Sequence, residues 1–351
     1  MNSVNSKRVF WVSPHRPVGF VEILGKRDDV RLDKLENDNP PESAAEVLAA
    51  AHAYQTSSTQ QELARHYHAN ADFLRHTPNL LLVSTNGAGY DTVDVAACTE
   101  RGVLVVNQSG GNAESVAEHV VGMMLMLVKR VVECDRALRA GTLSGRAAYT
   151  GHEALGKTIG IIGLGNVGRR VAELCGGLFR MTVLAYDPYL SAADIRARGA
   201  AKVELDELLR RADFVSINCP LTDETRKMIG AREFALMQPT AYFITTARGF
   251  IHDEAALEAA LRDGKLAGAG LDVWEKEPPP ADHPLMGFDN VIVSAHTAGV
   301  TREARIRMGQ FAAEQMLDAL DGKPVTRVIN PQVWPDYAKR FERTFGFKPR
   351  Q

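Results

Sequence analysis

Residues 159–187 read IGIIGLGNVGRRVAELCGGLFRMTVLAYD, and this stretch decides the fold. It begins with a short apolar run of mostly β-branched residues, which is typical of a buried parallel strand. Gly163, Gly165 and Gly168 follow in G-x-G-x-x-G spacing, and apolar residues then recur at helical intervals. A second apolar run ends at Asp187. The pattern predicts a strand, a glycine turn, a helix and a second strand of one parallel sheet.

Each feature of this stretch suits the binding of a dinucleotide. Gly163 permits a tight turn, Gly165 lets the backbone approach a pyrophosphate, and Gly168 lets the helix pack on the strand. The first N–H groups and the dipole of the helix favour an anion at its start. Asp187 lies 19 residues after Gly168, where a carboxylate can accept hydrogen bonds from ribose hydroxyls and repel a 2′-phosphate. The sequence therefore predicts NAD rather than NADP as cofactor.

Composition limits the remaining classes of function. A chain of 351 residues predicts two domains, and 45% hydrophobic and 24% charged residues are ordinary for a globular protein. A net charge of −2 provides no field for nucleic acid or for an anionic membrane. The longest apolar run, Val120 to Val128, is too short to cross a bilayer, and the first residues lack the apolar core of a signal peptide.

Cysteine and histidine spacing gives no indication of a metal site. The cysteines show neither CxxC nor metal-ligand spacing, and their apolar surroundings predict reduced, buried thiols in a cytoplasmic protein. There are four of them: Cys98, Cys134, Cys175 and Cys219. No cluster of His, Cys, Asp and Glu has the spacing of metal ligands, so we expect no metal.

Strands and helices alternate on both sides of the glycine stretch, which predicts doubly wound parallel sheets. Before it we expect strands at 9–12, 80–84 and 103–106 and helices at 43–54, capped by Ser43, and 93–101. Two long helices, 115–136 and 301–321, would connect two domains. The simplest α/β architecture is a nucleotide-binding domain, 113–303, inserted into a discontinuous outer domain, 1–112 and 304–351. In the tail, Trp334, Tyr337, Phe341 and Phe345 at helical spacing predict packing.

Three charged residues stand at the ends of predicted strands. Arg248 lies in TTARG, Glu277 in DVWEKEPPP and His296 in SAHTAG. A nicotinamide enzyme needs one proton for every hydride, and an arginine fork holds a carboxylate well. A carboxylate beside an imidazole stabilises the imidazolium. Taken singly, Arg248 also fits a solvated loop charge, Glu277 a surface carboxylate and His296 a buried histidine. Taken together, the three predict a catalytic group.

These motifs, in this order, resemble those of the D-isomer-specific 2-hydroxyacid dehydrogenase family. The resemblance runs from about Asn79 to the end of the second long helix. It rests on STNGAGYDTVD (84–94), NAESVAEH (112–119), GLGNVG (163–168), PLTDETRKMIG (220–230), TTARG (245–249), GKLAGAGLDVWEKEP (264–278) and SAHTAG (294–299).

The resemblance implies a Rossmann nucleotide domain, a flavodoxin-like outer domain and a homodimer joined through the nucleotide domain. It implies that Arg248 binds the carboxylate and carbonyl of the substrate, that His296 is the acid/base and that Glu277 is its partner. Asp272 would orient the nicotinamide carboxamide. The substrate carboxylate would be received by the backbone of Asn86, Gly87, Ala88 and Gly89. The implied cofactor contacts are Gly163, Gly165, Asn166, Val167, Gly168, Asp187, Cys219, Pro220, Thr225, Thr246, Ala247, Arg248, Asp272, His296 and Gly299.

The chain departs from the family pattern at three positions: Asn218 stands where His is frequent, Thr245 where Asn is, and Ala295 where Pro is.

The expected function is NAD-dependent interconversion of a D-2-hydroxy acid and a 2-keto acid, of either the hydroxypyruvate/glyoxylate or the phosphoglycerate type. The alternative is an NAD(H)-sensing binding protein similar to the corepressors of this fold. No Lys or Arg closely flanks residues 85–91, which disfavours a phosphorylated substrate. The polar loop 55–60 is a candidate for contact with the substrate's distal end.

Overall fold

The structure is a computed structural model that describes residues 6–13 and 18–351. The chain divides into two compact units. Unit 1 comprises Met1–Asn112 and Thr301–Gln351, and unit 2 comprises Ala113–Val300. Unit 2 thus ends at Val300, slightly before the boundary at 303 that the sequence suggested, because the second long helix belongs wholly to unit 1.

Unit 1 contains a five-stranded parallel sheet in the order β2-β1-β3-β4-β5, the order of flavodoxin-like folds. Its first segment comprises β1 (Lys7–Val12), α1 (Phe20–Leu24), β2 (Val30–Leu35), α2 (Ala45–Ala50), β3 (Ala53–Ser57), α3 (Ala71–His76), β4 (Leu82–Asn86), α4 (Val95–Glu100) and β5 (Leu104–Val106). Apolar residues cover both faces of the sheet, as is usual for buried parallel strands.

The helix expected at 43–54 is wrong at both ends. The α-helix covers only Ala45–Ala50, and Ser43 lies in a preceding 3₁₀ turn, Pro41–Ala44, rather than at a cap. Tyr54 belongs to β3, where it pairs with Phe10 of β1 and Val83 of β4. Every residue of β3 is buried, so its place in the middle of the sheet outweighs the helical propensity of the alanine-rich sequence before it.

Unit 2 contains a seven-stranded parallel sheet in the order β12-β11-β10-β9-β6-β7-β8. The chain builds outward from β6 to β8 and then returns to the other side of β6 with β9, which creates a crevice at the carboxyl ends of β6 and β9. The elements are α5 (Ala113–Val128), α6 (Val131–Ala140), β6 (Thr158–Ile162), α7 (Asn166–Phe179), β7 (Thr182–Tyr186), α8 (Ala192–Ala197), β8 (Ala201–Lys202), α9 (Leu205–Arg211), β9 (Phe214–Ile217), α10 (Ala231–Leu236), β10 (Tyr242–Thr245), α11 (Glu254–Arg262), β11 (Gly268–Leu271) and β12 (Val291–Val293).

The single helix expected at 115–136 is in fact two helices, α5 and α6. Arg130 adopts a left-handed backbone conformation with φ of 55°, which ends the regular helical hydrogen bonding. The carbonyl of Val128 accepts a hydrogen bond from His152 N–H (2.8 Å), and a Cβ on Gly151 would lie 2.4 Å from the same carbonyl oxygen. Residues 151–152 therefore pack on the end of α5, and His152 donates to the carbonyl of its last residue, Val128.

Unit 1 is completed by α12 (Arg302–Leu320) and α13 (Trp334–Phe345). Tyr337 and Phe341 of α13 are buried, and their rings contact those of Trp334 and Phe345. Tyr337 Oη donates a hydrogen bond to the carbonyl of Ala319 on α12 (3.1 Å). The prediction that these tail aromatics pack is confirmed.

All four cysteines are free. Cys98 and Cys175 are buried as expected, but Cys134 and Cys219 are only half-buried, since Cys134 lies on α6 and Cys219 follows β9. Over residues 6–13 and 18–351, the helices are too short or too polar to cross a membrane. The same residues contain no group of three or more His, Cys, Asp and Glu side chains that could hold a metal ion.

Candidate active site

The three glycines after β6 differ in what surrounds them. Gly163 has φ of 87°, and a Cβ there would lie 2.7 Å from the backbone nitrogen of Cys219. A Cβ on Gly168 would lie 2.1 Å from the carbonyl oxygen of Gly163. At Gly165, by contrast, a Cβ would meet nothing within 4 Å. The first and third glycines are therefore required by the fold itself, whereas the second faces open space at the start of α7.

The start of α7 fits a diphosphate. The helix begins at Asn166 with Gly165 as its N-cap, and no side chain caps its first turn. A helix start without a side-chain cap presents N–H groups and the positive end of the dipole to an anion. Together with the open space at Gly165, this arrangement meets the steric and electrostatic needs of the pyrophosphate of NAD.

Asp187 directly follows β7, next to the glycine turn. Its Oδ2 accepts a hydrogen bond from Leu164 N–H (3.0 Å) and its Oδ1 accepts one from Tyr189 N–H (3.1 Å). Each carboxylate oxygen has a further lone pair for a ribose hydroxyl. Arg198 donates to the carbonyl of Leu164 (2.6 Å), so a guanidinium also lies beside this turn. The sequence shows no arginine directly after Asp187, and only the fold brings Arg198 here.

His296 and Glu277 form a hydrogen-bonded pair. The Nδ1 atom of His296 lies 2.8 Å from Oε2 of Glu277, and the other oxygen, Oε1, accepts a hydrogen bond from Trp274 N–H (3.1 Å). Within residues 6–13 and 18–351, no hydrogen bond engages the Nε2 atom of His296, whose side chain is 27% exposed. With Nδ1–H directed at Glu277, the other ring nitrogen is the one that can exchange a proton with a ligand.

Burial disfavours the charged form of Glu277, but other contacts outweigh it. The hydrogen bond and charge of His296, the N–H of Trp274 and the charge of Arg248 together hold the pKa of Glu277 below its usual value. Glu277 is therefore ionised at neutral pH and stabilises a positive charge on the imidazole.

Arg248 follows β10 and is brought to the same side of unit 2 by a close backbone approach. A Cβ on the next residue, Gly249, would lie 2.0 Å from the carbonyl carbon of Trp274, so only glycine fits. This contact joins the loop that carries Arg248 to the loop that carries Glu277. The guanidinium donates to the carbonyl of Ala247 (2.7 Å), and its charge acts on Glu277.

Asp272 holds the loop of His296 in place. It is fully buried, and its carboxylate accepts hydrogen bonds from Thr297 N–H (2.8 Å), Ala298 N–H (3.0 Å) and Ser294 Oγ (2.6 Å). Its carbonyl accepts one from His296 N–H (2.7 Å). Because His296 has φ of 55°, a strained value for a residue with a side chain, this network is needed to keep the imidazole in position. The role of Asp272 toward nicotinamide stays a prediction.

Two residues of this network were not recognised in the sequence. His119 on α5 lies with Nε2 3.0 Å from Ser294 Oγ, and Ser294 in turn donates to Asp272. The sequence suggested only a helix position for His119. Its place at the end of the NAESVAEH motif was the one available signal, and the partners lie about 150–180 residues away along the chain.

In unit 1, the turn after β4 is built by amide side chains. Gly87, with φ of 116°, donates its N–H to Oε1 of Gln108 (3.0 Å), and Asn107 donates to the carbonyl of Ala88 (2.7 Å). The N–H of Gly87 is thus engaged within the turn, and the role of this turn toward the substrate stays a prediction. Within the described part of the chain, no hydrogen bond engages the N–H groups of Ala88 and Gly89, which can donate to an anion.

The other expected cofactor contacts lie at the carboxyl ends of the strands of unit 2. Cys219 and Pro220 follow β9, where Cys219 contacts the turn at Gly163, and Thr225 Oγ1 donates to the carbonyl of Pro220 (2.7 Å). Thr246 and Ala247 follow β10, and Gly299 follows the His296 loop. Two of the departures from the family pattern leave buried acceptors without partners in the described residues, Asn218 Oδ1 and Thr245 Oγ1.

Comparison with known proteins agrees with this geometry. Residues 121–298 match the model of the D-isomer specific 2-hydroxyacid dehydrogenase NAD-binding domain. The chain is 37% identical over 319 residues to a glyoxylate reductase from Aeropyrum pernix, which covers 89% of this chain and 93% of that protein. The chain belongs to the D-isomer specific 2-hydroxyacid dehydrogenase family.

Other relatives of the family carry a different name. A D-3-phosphoglycerate dehydrogenase from Archaeoglobus fulgidus is 40% identical over 267 residues, which cover 76% of this chain. The match spans only 50% of that protein and 49% of its counterpart from Methanocaldococcus jannaschii, so this chain covers about half the length of these relatives.

Solved structures share the fold. A glyoxylate reductase from Paecilomyes thermophila superposes with a TM-score of 0.82 at 26% identity, covering 93% of this chain and 99% of that one. A D-lactate dehydrogenase from Aquifex aeolicus, complexed with NAD and lactic acid, has a TM-score of 0.77 at 30% identity, covering 90% and 96%. Both agree with a Rossmann NAD-binding domain in unit 2 and a flavodoxin-like unit 1.

Proposed function

We propose that the protein is an NAD-dependent reductase that interconverts a small 2-keto acid and the corresponding D-2-hydroxy acid. The observation that supports this most directly is the His296–Glu277 pair, whose open Nε2 lies in the same unit as Arg248 and the glycine turn. A proton donor, a guanidinium and a dinucleotide turn are the three parts that such a reaction needs.

In the proposed mechanism, Arg248 binds the carboxylate and polarises the carbonyl of the keto acid through its planar fork. The N–H groups of Ala88 and Gly89 donate to the substrate carboxylate. His296, protonated at Nε2, donates its proton to the carbonyl oxygen, and Glu277 stabilises the imidazolium before transfer. Residues Gly163 to Gly168 and Asp187 would hold NADH, which would supply the hydride for C2. In the reverse direction His296 accepts the hydroxyl proton.

Among the substrates named for relatives, we favour an unphosphorylated acid of the glyoxylate or hydroxypyruvate type. Ser57 and Thr59, in the loop expected to contact the distal end of the substrate, both donate to the carboxylate of Glu62, at 2.8 and 2.5 Å. These hydroxyls are therefore already engaged, and a carboxylate beside them disfavours a phosphate dianion. The lack of a Lys or Arg beside residues 85–91 supports the same choice.

The test is NADH oxidation by the purified protein with glyoxylate, hydroxypyruvate, pyruvate and 3-phosphohydroxypyruvate. We expect the highest kcat/KM with one of the unphosphorylated acids. A preference for the phosphorylated acid would refute the substrate class. NADH binding with no turnover of any keto acid would instead favour an NAD(H)-sensing binding protein.

We expect NADH to be preferred over NADPH by more than about tenfold in kcat/KM, equivalent to about 1.4 kcal/mol, because Asp187 repels a 2′-phosphate. Asp187→Arg should shrink or reverse this ratio. Arg198→Leu is the matched variant: it removes a cation beside the same turn and should raise the ratio. Equal use of both cofactors by the unmodified protein would contradict the assignment of Asp187.

We also propose that the protein is a cytoplasmic homodimer joined through unit 2. Helix α6 buries none of its side chains, although Val131 and Leu138 are large and apolar, 51% and 59% exposed. Leu143 and Leu155, which follow α6 in the chain, are also exposed. Sedimentation equilibrium should give a dimer, and Leu138→Glu should weaken it, because a charge would then be buried in the interface. A monomer at micromolar concentration would refute the proposal.

A further inference from the structure

Unit 1 contains a cavity that the proposed reaction does not use. It has a volume of about 160 Å³ and lies where the end of α3, the turn between α4 and β5, and α13 meet. Its walls are formed by Leu74, Thr77, Pro78, Arg101, Val103 and Arg340. No local sequence pattern connects these residues, because more than 200 positions separate Arg101 from Arg340.

The charged groups of this cavity are mostly positive. Arg340 donates to the backbone carbonyls of Pro78 (2.7 Å) and Arg101, and to no carboxylate of the described residues. Within the part of the chain that the structure describes, Arg101 and Arg343 form no ion pair. On α13, Asp336, four residues before Arg340, is paired with Lys339 (3.1 Å), and Glu342, two residues after Arg340, is exposed. Burial and the charges of Arg101 and Arg343 lower the pKa of Arg340, as expected for guanidinium groups that lack an anion.

The stem of Arg340 is held by packing. A Cβ on Gly102, which has φ of 65°, would lie 3.0 Å from Cδ of Arg340, so only a glycine allows this side chain to lie so close to the turn. The two hydrogen bonds to carbonyls then orient the guanidinium. Of its five N–H donors, at least two are left for a ligand.

A polar group on the cavity wall lacks a partner. Thr77 is only 2% exposed, and its hydroxyl makes no hydrogen bond in the described residues. Buried hydroxyl groups in folded proteins are almost always hydrogen-bonded. Thr77 lines the same cavity as Arg101 and Arg340, and a hydroxyl without a partner there is available to an anionic acceptor.

We propose that this cavity binds a phosphoryl group, through the guanidinium groups of Arg101 and Arg340 and the hydroxyl of Thr77. A cavity of about 160 Å³ has room for a phosphoryl group. The ligand is free phosphate or the phosphoryl end of a small monoester. Because it would tie α13 to the ends of α3 and α4, its binding stabilises unit 1.

Calorimetric titration and thermal unfolding of the full chain test this proposal. The probes are sodium phosphate and glycerol 3-phosphate, with sodium chloride at matched ionic strength as reference. Phosphate should bind and raise Tm, and chloride should not. Arg101→Gln should raise the dissociation constant about tenfold and Thr77→Val about threefold, since each removes one donor. Tighter binding of glycerol 3-phosphate would identify a monoester as the ligand, and tighter binding of phosphate would identify the free ion.

The control is Arg350→Gln, which removes an exposed arginine of unit 1 that does not line the cavity. It should leave phosphate affinity unchanged, and Arg101→Gln should leave kcat/KM for the keto acid within about twofold. No phosphate binding in the unmodified chain would overturn the proposal. So would equal weakening in Arg350→Gln, or full affinity in Arg101→Gln, because phosphate would then bind through general charge or at another site.

Discussion

Each unit of the molecule presents a glycine turn at the end of a parallel strand, but the two turns are held in different ways. After β4 in unit 1, the turn at Gly87 is fixed by side-chain amides, those of Gln108 and Asn107. After β6 in unit 2, the turn is fixed mainly by close backbone packing. Gly163 packs against the backbone of Cys219, and Gly168 packs against the carbonyl of Gly163. The turn of unit 1 thus depends on two amide side chains. The turn of unit 2 depends on glycines, because a Cβ would prevent the close backbone contacts.

The polar interiors of the units differ as well. Unit 1 holds a cluster in which Arg27 donates to Asp321 through Nη1 (3.1 Å) and Nη2 (2.9 Å), and to Asp29 through Nε (2.7 Å) and the same Nη2 (2.8 Å). Unit 2 buries a histidine, His252, whose two ring nitrogens have no partner in the described residues. The charges of this cluster in unit 1 are thus paired, whereas unit 2 carries a buried titratable group that folding keeps neutral.

The largest expected effect tests whether the chemistry belongs to unit 2. His296→Ala should lower kcat by roughly 10² to 10⁴, because it removes the only proton donor of the His296–Glu277 pair. NADH affinity, measured by fluorescence, should change little. His66→Ala, an exposed histidine of unit 1, is the control and should be silent. Retention of most of the activity in His296→Ala would assign the proton transfer to another group.

The glycine turn of unit 2 provides a matched pair of variants. Gly168→Ala should destabilise the protein by about 2–3 kcal/mol, because its Cβ would lie 2.1 Å from the carbonyl oxygen of Gly163. Gly165→Ala should fold with nearly unchanged stability, since nothing lies within 4 Å, but NADH should bind about tenfold more weakly. Urea unfolding and NADH titration measure the two effects. Normal NADH affinity in Gly165→Ala would show that this space does not hold the cofactor.

The buried histidine of unit 2 predicts a loss of stability on acidification. Burial, only partly offset by Glu275, lowers the pKa of His252 to about 4. The unfolded chain, with a pKa near 6.5, therefore takes up the proton first. The contribution of the neutral imidazole of His252 to stability is complete above about pH 6.5 and falls as the pH drops toward 4. The loss at pH 5 is about 2 kcal/mol.

His252→Leu should remove the part of the acid-induced loss of stability that comes from the imidazole. We expect the difference in unfolding free energy between pH 8 and pH 5, measured by urea titration, to be about 2 kcal/mol smaller in the variant. Glu254→Gln, at a partly buried carboxylate that is hydrogen-bonded to His283, is a control for other titrating groups. An identical pH dependence in His252→Leu and in the unmodified chain would mean that water or a rearrangement solvates the imidazole.

The smallest expected effect concerns the turn of unit 1. Gln108→Leu removes the acceptor of Gly87 N–H without a large change of volume, and should cost about 1–3 kcal/mol of stability. KM for the keto acid should rise about tenfold, whereas KM for NADH should not change. If both KM values are unchanged, the turn at Asn86–Gly89 does not receive the substrate.

The Rossmann unit and its catalytic residues could be predicted from sequence because their signals are local. The strand, glycines, helix and acid of 159–187 are read within thirty residues, and the motifs of Arg248, Glu277 and His296 each follow an apolar run. The signals for β2 and for all of β3 were missed, since residues 53–54 were expected in a helix and residues 55–57 in a loop. β2 is an edge strand with charged residues, and the burial of β3 comes from strands 30–45 residues away.

By itself the sequence determined the fold class, the nucleotide turn and the residue types that carry the chemistry, because backbone geometry and side-chain periodicity act over a few residues. Only the tertiary structure decided the break between α5 and α6, the support of His296 by Asp272, Ser294 and His119, and the cavity at Arg101 and Arg340. These depend on contacts between segments far apart in the chain, such as Val128 with His152 or Arg340 with Pro78. These contacts form because buried backbone N–H and C=O groups need hydrogen-bond partners, and packing brings those partners from distant segments. No local sequence pattern predicts which segments will meet.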